Sequence, residues 1–124
     1  MKYRSTQLMS IFAACDYWTP KVALAVHGSE PRELGLGGLQ TVEDALKRFR
    51  EALAGRERPF EEPLVGLYRH AYYSVRTLRA YFENGRSGLD QEMAEILADH
   101  LDAIVGEVFG IAGEIDEEYS TSEA

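Results

Sequence analysis

Six apolar residues, Leu97, Leu101, Ile104, Val108, Ile111 and Ile115, recur along the last third of the chain with alternating spacings of four and three. Such a heptad line lies along one side of an α-helix and cannot be left in water, so other helical surfaces must cover it. The rest of the sequence offers candidates. Leu8, Ile11, Phe12, Cys15 and Trp18 fall at helical spacing behind Ser5 or Thr6 as N-cap, which predicts a first helix over about 6–17. Thr19-Pro20 resembles a cap followed by the residue best tolerated in a first helical turn, and Gly28 supplies a stop. Between them Val22-Ala23-Leu24-Ala25-Val26 is apolar all round, so a short buried helix and a strand both remain open.

Ser29 to Gln40 contains Pro31 and the cluster Gly35, Gly37, Gly38, which predicts the longest loop of the chain. Thr41 then caps a third helix with Val42, Ala45, Leu46, Phe49 and Leu53 on one face, ended by Gly55. A fourth opens near Pro63 and stops at Asn84-Gly85, with Leu64, Leu67, Ala71, Val75, Leu78 and Phe82 turned inward. The fifth, carrying the heptad line, follows Ser87 or Asp90 as cap. The expected fold is all-α: a small helical bundle of about four to five helices with a long C-terminal helix, residues 1–119 forming one domain and 120–124 a frayed polar tail.

The fifth helix carries a geometric consequence. From Gly88 to Glu118 it would be roughly 45 Å long, against a diameter of about 35 Å for a compact domain of this size. Either it breaks near Gly110 or Gly113, or its far end is covered by a second chain. In the latter case Ile104, Val108, Ile111 and Ile115 form a homodimer seam, and Gly106 and Gly110 let another helix backbone come close.

Charge is distributed unevenly. Residues 1–86 hold all 13 Lys and Arg against 10 acidic residues, whereas residues 87–124 hold no basic residue against 11 acidic ones, for a net −8. Solvated helices usually intersperse both signs. Two stripes stand out. Glu92, Glu95, Asp99 and Asp102 form an acidic ladder beside the apolar seam, and Arg69, Tyr73, Arg76 and Arg79 form a basic, aromatic stripe on the fourth helix, with Tyr72 and His70 nearby. Pairing between these helices would satisfy some charges and leave an acidic surplus.

Catalytic and metal chemistry find little purchase. His27, His70 and His100 sit on three different elements, and none has a second His, or a Glu three residues before it, as bundle metal sites use. Asp99 and His100 are neighbours on a helix and point about 100° apart, so they form no dyad. Gly35-Leu36-Gly37-Gly38 lacks the lysine of a phosphate-binding loop, and Glu43 and Asp44 would repel a phosphate there. Ser87 lies in a helix-to-helix turn and not in the strand-to-helix turn of hydrolases. No catalytic residue, cofactor or metal is expected. The lone Cys15 reads as a buried, inert thiol in a reducing cytoplasm, and no secretory signal or membrane-spanning run is expected.

In size and charge alone, the chain resembles small acidic inhibitors such as toxin-neutralising immunity proteins, phage anti-defence proteins and anti-activators. That resemblance implies a non-enzymatic, stoichiometric inhibitor or regulator that meets a basic protein partner through the acidic ladder. A self-associating structural or regulatory subunit ranks second. A nucleic-acid module using the Arg/Tyr stripe ranks third, because 21 carboxylates oppose a polyanion.

Overall fold

The computed structural model describes the backbone of residues 2–54 and 64–123, and the side chains of 10–51 and 64–111. Within those limits it is all-helical, with four helices: α1 (Lys2–Val26), α2 (Arg32–Ala54), α3 (Leu64–Glu83) and α4 (Gln91–Glu123). Each helix packs its backbone on two others, α1 on α2 and α4, and α3 on α2 and α4, while the backbones of the diagonal pairs α1/α3 and α2/α4 stay apart. The cross-section is therefore a square with α1 and α3 on one diagonal. Neighbours run antiparallel: His27 and Thr19 on α1 meet Asp99 and Asp102 on α4, and Glu43 and Leu46 on α2 meet Arg79 and Tyr68 on α3.

The first two expected helices are one. Ile11, Cys15, Thr19, Val22 and Val26 are all buried along a single stripe that passes Pro20 without interruption. Proline removes an N–H and crowds the carbonyl four residues back, but Pro20 is exposed, so water can serve the freed carbonyl. Thr19 is not a cap; its hydroxyl, fully buried, donates to Asp102 Oδ1 at 2.7 Å. The apolar run from Val22 to Val26 is helix, not strand. It closes on Gly28, where φ is +89°, with Ser29 N–H donating to Leu24 O and Gly28 N–H to Ala25 O. This is the Schellman ending that glycine favours.

The expected long loop is also helix. Pro31 supplies the first accepting carbonyl, bonded by the N–H groups of Leu34 and Gly35, and α2 then runs unbroken through the glycine cluster. The glycines are a packing surface. A Cβ at Gly35 would lie 2.8 Å from Phe82 Cζ and 3.0 Å from Ala25 Cβ, and one at Gly38 would lie 3.0 Å from Val22 Cγ2 and 3.1 Å from Trp18 Cε3. Gly37 points outward into open space. Thr41, expected as a cap, lies mid-helix and donates back to Gly37 O at 2.9 Å.

The core carries the stripes read from the sequence. Val42, Ala45, Leu46 and Phe49 of α2, Leu64, Ala71, Val75, Leu78 and Phe82 of α3, and Leu101, Ile104 and Val108 of α4 are buried; Phe12, Trp18, Leu67, Leu97 and Ile111 are half-buried. A chain of rings crosses the bundle, Phe12 to Phe109 (5.1 Å between centroids), Phe109 to Phe49 (4.8 Å) and Phe49 to Tyr68 (5.9 Å), so one aromatic layer joins all four helices. The side chains of Leu8, Leu53 and Ile115, together with Gly55 and Pro63, lie outside the described residues.

Asp90 caps α4, accepting the Glu92 N–H at 2.8 Å, while Ser87 bonds the Asn84 carbonyl instead. Gln91 ties three helices at this end: its amide donates to Val26 O at 2.8 Å, and its carbonyl accepts from the buried Tyr81 hydroxyl. The backbone of α4 continues through Gly110 and Gly113 without a break. Among the described residues no helix is long and apolar enough to cross a membrane.

Candidate functional site

The acidic ladder lies along the α1–α4 edge of the square. Asp99, Asp102 and Glu92 are exposed and Glu95 is half-buried. Among the described residues their partners come from the α1 side and from Gln91 of α4, whose amide donates to Glu95 Oε2 at 3.2 Å, and not from the arginines of α3. His27 Nδ1 sits 2.7 Å from Glu95 Oε1, and His27 Nε2 sits 3.0 Å from Asp99 Oδ1. A neutral imidazole donates from one nitrogen only, so two carboxylates favour the doubly protonated ring. The hydrogen bond to Asp99, with the charges of Asp99 and Glu95, holds the His27 pKa above its ordinary value against the lowering effect of desolvation. Among the described residues one imidazolium, one threonine hydroxyl and the Gln91 amide serve this edge, and Asp99 still leaves 54% of its side chain in water. A negative strip remains.

The expected Arg/Tyr stripe splits. Arg79 leaves the stripe: its guanidinium donates to Glu43 Oε2 at 3.1 Å and to Glu83 Oε1 at 2.9 Å. Glu43 is the charged residue that sequence reasoning missed. A cap at Thr41 would place it in a first turn, yet it lies mid-helix with 4% of its side chain exposed, Oε1 has no hydrogen-bond partner among the described residues, and Lys47 approaches Oε2 at 3.7 Å. Arg76 lies over the Tyr72 ring, 5.9 Å from its centroid, and donates to the Tyr72 hydroxyl at 3.4 Å. That hydrogen bond is the main reason the Arg76 pKa is raised.

Arg69 and Tyr73 take part in a different constellation. Together with Val65, Tyr68 and Tyr72 they form the α3 wall of an open groove of about 600 Å³, whose α2 wall is Lys47, Arg50 and Glu51. The rings step outward from the core, Tyr68 on Tyr72 at 6.2 Å and Tyr72 on Tyr73 at 5.9 Å, ending at Tyr73 with 66% exposure. Burial raises the Tyr68 pKa, and its hydroxyl donates to Leu46 O at 3.2 Å. Lys47, Arg50 and Glu51 follow one another at three and one on α2, a pattern visible in the sequence; that they face Arg69 needed the α2–α3 register.

The heptad seam is largely covered within the chain. Ile104 and Val108 are buried and Ile111 is half-buried, while the side chain of Ile115 lies outside the described residues. Among the described residues nothing lies within 4 Å of a Cβ built at Gly106 or Gly110. The three histidines are not gathered: His27 faces α4, and the α3 helix bearing His70 lies across the diagonal from α1. Among the described residues no group of three or more His, Cys, Asp or Glu is placed to hold a metal. Cys15 is fully buried, and desolvation pushes its thiol up to about 12 against the lowering effect of Arg48, so it stays un-ionised and unreactive. Set against protein-family models, curated proteins and solved structures, the chain matches none.

Proposed function

We propose that this chain is a non-catalytic binding protein of the cytoplasm, a stoichiometric inhibitor or regulator that meets a basic protein surface through Glu92, Glu95, Asp99 and Asp102. The supporting observation is where the counter-ions are. Arg79, which could have neutralised the α4 carboxylates, turns towards Glu43 and Glu83 instead, so the α1–α4 edge keeps His27 as its one described cationic partner. Aligned exposed carboxylates add their fields at an approaching cationic surface and chiefly raise the association rate.

The test compares the wild type with the quadruple variant Glu92→Gln, Glu95→Gln, Asp99→Asn, Asp102→Asn as bait in extracts of the native host. Asparagine at 102 keeps an acceptor for Thr19, so the fold should survive. A protein captured by the wild type and lost from the variant, with association about tenfold slower and a flatter salt dependence, is the expected outcome. Equal capture by both baits, or an association rate unchanged by the four substitutions, would show that the interface lies elsewhere.

A further inference from the structure

The α2–α3 groove lies on the edge opposite the acidic ladder. Among the described residues Lys47, Arg50 and Arg69 line it together with one carboxylate, Glu51, and Lys47 also lies 3.7 Å from Glu43 Oε2. Among the described residues neither Arg50 nor Arg69 makes an ion pair. Bringing like charges together on two helices is unfavourable until an anion joins them, and guanidinium groups bind phosphate oxygens in paired, charge-assisted hydrogen bonds. The same groove ends in the flat, exposed ring of Tyr73, against which a second flat ring can stack.

We propose that this groove binds a small ligand that joins a phosphate or pyrophosphate to an aromatic ring, that is, a nucleotide. The phosphates lie on Lys47, Arg50 and Arg69, and the base lies against Tyr73. Size and field both favour a small anion over a polymer. A volume of about 600 Å³ lies within the usual range for small-ligand pockets. Salt screens charges over about 8 Å, so an anion inside the groove feels chiefly its cations, whereas a long strand would leave the groove and run over a surface of net charge −8.

Calorimetric titration with ADP, pyrophosphate, adenosine and a short single-stranded DNA decides it. ADP should bind once per chain and pyrophosphate more weakly. Arg50→Ala and Arg69→Ala should each weaken both by about tenfold or more, and Tyr73→Ala should weaken ADP by about tenfold while leaving pyrophosphate unchanged. All three side chains are exposed, so the variants should fold, which circular dichroism checks. Absence of ADP binding, ADP binding indifferent to the three substitutions, or adenosine binding as tightly as ADP would overturn the proposal. So would DNA binding tighter than ADP and lost in the same variants, because the groove would then serve a polymer. None of these outcomes bears on the acidic edge, whose test uses different residues.

Discussion

Alanine substituted at Gly35 and at Gly37, two positions apart on α2, isolates close packing from helix propensity. In a helix interior alanine is favoured over glycine by about 1 kcal/mol. At Gly37 nothing lies within 4 Å of the added Cβ, so Gly37→Ala should gain that amount and raise Tm by about 4 °C in a domain of this size. Gly35→Ala gains the same propensity but places its Cβ 2.8 Å and 2.9 Å from Phe82 Cζ and Cε2, and 3.0 Å from Ala25 Cβ. Phe82 and Ala25 are both fully buried, so neither has room to withdraw. Overpacking of this kind costs about 1–3 kcal/mol, which leaves Gly35→Ala between neutral and about 2 kcal/mol destabilised. Urea unfolding at matched m-values measures the gap between the two variants, expected at about 1–3 kcal/mol. Repeating Gly35→Ala in a Phe82→Leu background, where the clashing ring atoms are gone, should remove most of the penalty. Equal stabilisation by both alanines would refute the close α1–α2–α3 packing at Gly35.

The buried carboxylate of Glu43 predicts an asymmetry: Arg79→Ala, which leaves it with only Lys47 at 3.7 Å, should cost about 2 kcal/mol or more, whereas Glu43→Met should cost under about 1 kcal/mol. Equal losses on urea unfolding would contradict the burial of Glu43. For His27 the raised pKa means that the folded state holds the proton more tightly than the unfolded state, so the stabilisation is full below 6.5 and disappears as pH rises through the higher folded value. His27→Gln should therefore lower Tm in acid and leave it unchanged at alkaline pH; a Tm difference independent of pH would exclude the Glu95–His27–Asp99 bridge.

Periodicity revealed the inward stripes of α3 and α4 because each is long and its apolar residues all face the same way. It failed where a local signal conflicted with packing. Thr19-Pro20 has the chemistry of a helix start, yet Pro20 is exposed while the buried stripe continues on both sides of it, so burial keeps one helix where local propensity would end it. The cluster Gly35, Gly37, Gly38 has the composition of a loop, but two of its three glycines allow ring and methyl groups of α1 and α3 to approach the α2 backbone. Nothing within the segment itself distinguishes the two cases. The site divides similarly. The acidic ladder could be placed on one helix face from spacing alone, but its encounter with His27 depends on the antiparallel register of α1 and α4, and Glu43 became visible as a buried charge only once Arg79 faced it.

The square arrangement then sorts the charges. Arg79 is drawn to Glu43 and Glu83, and the described partners of the α4 ladder are His27 and Thr19 of α1 and the Gln91 amide of α4 itself. Opposite edges of one small bundle thus carry opposite local charge: a negative strip on α1–α4 and a positive, ring-lined groove on α2–α3. Local charge of this kind steers a diffusing protein before contact. A basic partner would be met by the acidic edge first, with the groove facing away and open to solvent. On that geometry occupancy of the groove by a small anion should leave the charge of the acidic edge unaltered, since the two edges share no residue. If ADP at saturating concentration changed the salt dependence of partner association, coupling would have to pass through the packed helices, and the Phe49–Tyr68–Tyr72 column, which links the groove to the core, would be the first place to mutate.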